Sequence, residues 1–205
     1  MDFLSFSNIW HWIELTATIL GICYVIFQVR QKVAMWYFEI FCGALYVAIG
    51  IHQHLWGSMC LNIYYVVISF VGIYRLTRDK AVIAKENAGS DGSHDIVVRR
   101  MHTRTLAISA VLFLAFAAGL YFALRALDDP QPNLDAVTMT MSFIGTYWLT
   151  QSYIEQWLLW MVADTMQIVM FSLQGMYAPA FMFLVYLSAS VYGYLHWRKH
   201  MTLIE

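Results

Sequence analysis

Apolar residues run along the chain in seven long stretches, separated by short polar breaks and one longer hydrophilic segment. The stretches lie at about Trp10 to Gln28, Ala34 to Ile51, Leu55 to Arg75, Arg104 to Leu124, Leu134 to Gln151, Glu155 to Leu173 and Tyr177 to Trp197. Each approaches the roughly 20 residues a helix needs to cross the hydrocarbon of a bilayer. The pattern therefore predicts an all-α membrane protein of seven transmembrane helices. The three prolines fall at edges, Pro130 and Pro132 in the turn Asp128 to Asn133 and Pro179 in the first turn of the last helix, where a missing N–H does no harm. The segment Thr77 to Thr103, with Gly89, Ser90, Asp91, Gly92 and Ser93 at its centre, reads as a flexible connector. It divides the helices three, one and three, giving units at 1–78, at 79–133 with the fourth helix, and at 134–205.

Composition strengthens the membrane reading. Of 205 residues 60% are hydrophobic and 12% charged, about half the charge of a soluble domain. That leaves no room for a separate soluble catalytic domain. A net charge of −1 provides no field to draw in nucleic acid. The start Met1-Asp2-Phe3 has no basic n-region, so the first apolar stretch is expected to remain as a helix. Cys23, Cys42 and Cys60 are isolated in apolar stretches and read as buried small residues.

Charge distribution predicts orientation. With seven spans, Arg30, Lys32, the seven basic residues from Arg75 to Arg104, Arg198 and Lys199 all fall on one side, leaving Arg125 opposite. The positive-inside rule then places the N-terminus outside and the C-terminus in the cytoplasm. Trp10, Trp12 and Trp56 fall at outer ends and Trp36, Trp157 and Trp197 at inner ends, the positions of an aromatic belt.

Sliding the chain against itself by 121 residues aligns Trp36 with Trp157, Gln53 with Gln174, Tyr65 with Tyr186, Ser69 with Ser190 and Gly72 with Gly193. The same offset superposes whole spans, so helices one to three match helices five to seven in the same orientation. Such a parallel repeat, joined by one inverting helix, places a substrate site between two three-helix halves.

An ionisable side chain in mid-span costs about 2.5–3.5 kcal/mol on insertion scales and calls for a reason. Asp164 lies seven residues into the sixth span from Trp157, about 10 Å along the axis. Trp160 precedes it by four residues and shares its helix face. An aromatic plane beside a carboxylate suits a flat organic cation, held by stacking, cation-π attraction and charge. Glu39 in the second span is either a second buried carboxylate or an interfacial one. Asn62, Tyr65, Gln151, Trp157 and Tyr186 complete the candidate lining, each having a packing role as its alternative. His196 and His200 have helical i, i+4 spacing but no third ligand nearby, so no metal is expected, nor any cofactor. No phosphate loop, dinucleotide fingerprint, G-x-S-x-G or H-E-x-x-H occurs, and the last span has no lysine for a retinal Schiff base. Transport is the expected class and an enzyme is not; a receptor that binds without translocating is the rival.

The run Tyr153 to Asp164, continuing through Phe171 to Tyr177, with Trp12-Ile13-Glu14 and Asn62-Ile63-Tyr64-Tyr65, resembles the Pnu family of bacterial vitamin transporters, whose PnuC branch carries nicotinamide riboside. The resemblance implies a SWEET-like three-plus-one-plus-three fold in the bacterial inner membrane. It further implies facilitated diffusion, with the vitamin trapped by a cytoplasmic kinase. Family members carry W-x-x-x-N in the sixth span; here Trp160 matches and Asp164 replaces the asparagine. Nicotinamide riboside is the expected substrate, with thiamine, another flat cation, as the alternative. Homo-oligomerisation stays open.

Overall fold

A computed structural model describes residues 9–54, 56–86, 96–127, 132–173, 175 and 177–203. Among these are seven helices: α1 (Ile9–Val29), α2 (Ala34–His52), α3 (Trp56–Glu86), α4 (Thr103–Ala126), α5 (Pro132–Thr150), α6 (Gln156–Leu173) and α7 (Tyr177–His200). They coincide with the seven apolar stretches. Helices α1 to α4 each contain a window long and apolar enough to cross a membrane. Helix α3 runs well past the expected end at Arg75, because Leu76 and Ile83 keep an apolar side to bury. It therefore continues through the boundary placed at residue 78. The linker core at 87–95, the Asp128 to Gln131 part of the proline turn, and Gln174 with its match to Gln53 lie outside the described residues.

Helix α1 packs on α2, α2 on α3, α3 on α5, α5 on α6, α6 on α7, and α7 back on α1. These six close a ring. Helix α4 sits outside it against α5, where the Trp148 indole N–H donates to Ser109 Oγ at 3.2 Å. Helix α1 shows how the ring is oriented in lipid. Trp12, Leu15, Ile19, Ile22 and Ile26 are exposed at three- and four-residue steps, while Ala17, Gly21, Tyr24 and Gln28 turn inward.

Two strands at one end modify the picture of a loose connector. Strand β1 (Ile96–Val98) pairs in parallel with β2 (Met201–Leu203), and all three β1 residues are buried. The Gln31 side chain holds β1 at Val97, donating to its carbonyl at 2.6 Å and accepting from its N–H at 2.7 Å. The Arg99 guanidinium pairs with Asp79 at 2.7 Å, and its backbone N–H donates to the Ser152 carbonyl at 2.9 Å. Part of the linker is thus bound into the protein.

The inner tryptophans are core residues rather than a belt. Trp36, Trp157 and Trp197 are at most 1% exposed and sit in one apolar cluster with Val29, Leu76 and Val98. For Trp36 and Trp157 the reason is a pair of glycine notches, and Trp197 packs edge-on against Trp157. A Cβ at Gly72 would overlap the Trp36 indole, and one at Gly193 would stand 2.6 Å from that of Trp157. Residues 121 apart thus make matching contacts. Gln31 and Ser152 share the same offset, both have positive φ (45° and 58°), and Gln31 Nε2 donates to Ser152 Oγ at 3.2 Å. Of the three cysteines expected to be buried, Cys42 is buried, Cys23 is half-buried and Cys60 is exposed.

Candidate functional site

Every helix of the ring contributes to a central cavity of about 360 Å³, within the usual size range of small-molecule sites. Helix α6 supplies Trp157, Trp160, Asp164 and Gln167; they follow at three- and four-residue steps and share one face. Trp160 reaches the cavity because Gly145 of α5 leaves room for it. A Cβ there would stand 3.0 Å from the indole. Asp164 is 5% exposed and accepts one hydrogen bond, from Ser190 of α7 at 3.2 Å. Helix α2 supplies Glu39, Cys42 and Tyr46, and the Cys42 thiol donates to the Ala17 carbonyl at 3.3 Å. Helix α3 supplies Asn62 and Tyr65, and Tyr186 faces them from α7.

Seven of the eight candidate residues therefore converge: Trp160, Asp164, Asn62, Trp157, Tyr65, Glu39 and Tyr186. Gln151 does not. It lies at the end of α5 with the strands, its Oε1 accepting from the Arg75 guanidinium and its backbone carbonyl from Arg99 at 3.3 Å. A glutamine at a helix end next to two arginines is drawn to them rather than to the cavity. The amide of Asn62 is partly committed, its Nδ2 donating to the Ser58 carbonyl at 2.8 Å.

Sequence reasoning missed α1 as a wall. Thr18, Gly21, Tyr24 and Gln28 line the cavity, and their helical spacing among larger apolar residues was the available signal. Thr146 of α5 was missed as well.

Electrostatically the lining is one-signed. It contains two carboxylates, Glu39 and Asp164, and no lysine, arginine or histidine among the described residues. Three buried polar atoms on its wall, Trp157 Nε1, Trp160 Nε1 and Gln167 Oε1, have no protein partner. Buried groups of this kind need a ligand or water. The arrangement suits a flat, positively charged molecule that also offers acceptors to the two indole N–H groups and a donor to Gln167 Oε1.

The chain is similar to several known proteins. The nicotinamide riboside transporter PnuC of Neisseria mucosa is 27% identical over 195 residues, covering 92% of this chain and 72% of its own. That of Escherichia coli is 22% identical over 227 residues, covering 96% and 94%. The crystal structure of the vitamin B3 transporter PnuC superposes with a TM-score of 0.69 at 25% identity, over 92% of this chain and 81% of that one. Residues 11–199 match the nicotinamide mononucleotide transporter family as a whole, and a match of that extent decides membership: this chain is a multi-pass membrane protein of that family.

Proposed function

We propose that the chain carries nicotinamide riboside across the bacterial inner membrane by facilitated diffusion, in a three-plus-one-plus-three fold of two parallel repeats. The observation that carries the reading is the doubly acidic, aromatic cavity without a basic residue. The pyridinium lies on Trp160, and Asp164, one turn along, balances its charge. The same absence separates riboside from nucleotide. The family is described by the mononucleotide and the relatives by the riboside, and the lining offers a phosphate two anions and no cation to pair with.

The repeat reading is supported by the matching Trp36–Gly72 and Trp157–Gly193 contacts. The basic residues gathered beside the strands support a cytoplasmic position for that end. Rocking of one half against the other alternates access to the central site. With no phosphate loop to spend ATP, inward flux then depends on removal of the vitamin inside, the task of a cytoplasmic kinase.

Counterflow in proteoliposomes tests the reading: labelled nicotinamide riboside accumulates against unlabelled riboside in the wild-type chain and fails to do so in Asp164→Ala. Unchanged affinity for riboside and thiamine in that variant sinks the site assignment. Uptake that needs a proton or sodium gradient sinks facilitated diffusion, and binding without counterflow turns the chain into a receptor.

A further inference from the structure

Glu39 is the cavity charge that the pairing of a cationic ring with Asp164 leaves unused. It is 9% exposed and lines the cavity, and among the described residues no side chain forms an ion pair with it. A carboxylate in so dry a place needs donors. Its position says where they come from. Glu39 precedes Trp160 by 121 residues, the offset that relates Gln31 to Ser152 and the two tryptophan–glycine notches. Trp36 locks α2 against α3 as Trp157 locks α6 against α7. The residues three positions further on, Glu39 and Trp160, are therefore presented to the cavity from matching places in the two halves of the ring.

The neighbours differ in kind. The same offset pairs Tyr24 with Gly145. Gly145 gives its space to the Trp160 indole, whereas Tyr24 and Tyr65 line the cavity together with Glu39. One side of the cavity is a flat aromatic shelf; the other is an anion among hydroxyls. A substrate lying across it meets each with a different end.

We propose that Glu39 is the specificity-determining residue for the polar end of the substrate, accepting hydrogen bonds from a vicinal diol while the cationic ring rests on Trp160. Two carboxylate oxygens suit two adjacent hydroxyl donors. The inference rests on the reading of the cavity as a nicotinamide riboside site, and adds to it the group that holds the sugar.

A thermodynamic cycle on the purified full chain tests it, with nicotinamide riboside and its 2′,3′-dideoxy analogue titrated into wild type, Glu39→Ala and Glu39→Gln. Wild type prefers the riboside by on the order of 10- to 100-fold, the range for hydrogen bonds to a charged group. Glu39→Ala abolishes the preference: affinity for the riboside falls roughly 10- to 100-fold further than affinity for the dideoxy analogue, which loses only the attraction of its cation to the missing charge. Glu39→Gln, which keeps volume and one acceptor oxygen, retains part of it and serves if the alanine variant does not fold. A preference equal in wild type and variants, or equal loss of both ligands, overturns the role of Glu39. Failure of the underlying reading looks different: wild type then binds neither nicotinamide compound, and the inference falls with it.

Discussion

Gly145 and Trp160 show how a single missing methyl sets a binding surface. The indole lies against the bare Cα of Gly145, and a Cβ would stand 3.0 Å from one ring atom and 3.1 Å from another. Gly145→Ala must therefore move the ring by a few tenths of an ångström without altering any polar group. If Trp160 is the stacking surface, riboside affinity falls about tenfold, a size typical for loss of an aromatic contact. Thermal stability changes little, because half-buried Trp160 has cavity to move into. Titration calorimetry beside a melting curve checks both; intact affinity removes Trp160 from the ring site. At this scale the sequence was a good guide where chemistry was unusual. A carboxylate in mid-span is conspicuous, so Asp164 and Glu39 were found. Gln151 was misplaced because its side chain is equally at home in a cavity or beside arginines, and only the fold decides. Tyr24 and Thr146 were missed because neither carries a charge that makes it conspicuous in a span; for Tyr24 only its spacing with Thr18, Gly21 and Gln28 pointed inward.

At the scale of elements, helix bounds were legible to within a few residues because lipid imposes a long apolar run and loops interrupt it visibly. The end of α3 was not, since beyond Arg75 it carries charge and buries only one side. The inner tryptophans were misread for a related reason. A tryptophan near a span end fits a belt or a notch equally well, and the glycines that receive Trp36 and Trp157 each lie 36 residues further along. The notch makes a sharp prediction. At Gly193, one added methyl at 2.6 Å from the buried Trp157 ring forces overpacking that costs about 1–3 kcal/mol. Gly193→Ala is expected to melt roughly 2–4 °C lower per kcal/mol lost. Adding Trp157→Leu to it recovers part of that loss, although Trp157→Leu alone is destabilising through the void it leaves. Strictly additive losses in the double variant contradict the notch as the contact joining α6 to α7.

On the scale of the whole molecule, the end carrying the basic residues is tied shut across the ring. Gln31 of the α1–α2 turn meets Ser152 of the α5–α6 turn at 3.2 Å, and Gln28 Nε2 donates to Gln156 Oε1 at 3.5 Å. Strand β1 is held at Val97 by Gln31, and Arg99, which follows it, pairs with Asp79 of α3 and donates its backbone N–H to the Ser152 carbonyl. Trp197 of α7 adds a bond to the Val29 carbonyl of α1 at 2.9 Å. If the halves rock, these are the contacts that part when the cavity opens at this end. In a chain whose Cys23, Cys42 and Cys60 are replaced by alanine, the pair Gln31→Cys and Ser152→Cys joined by a short, reducible bifunctional thiol reagent holds them together. Counterflow of labelled riboside then falls to background and returns on addition of dithiothreitol. Each single cysteine variant treated with the same reagent keeps transporting, which separates locking from mere modification. Transport that persists in the fully bridged protein shows that the two turns need not separate, and moves the gate away from this end of the ring.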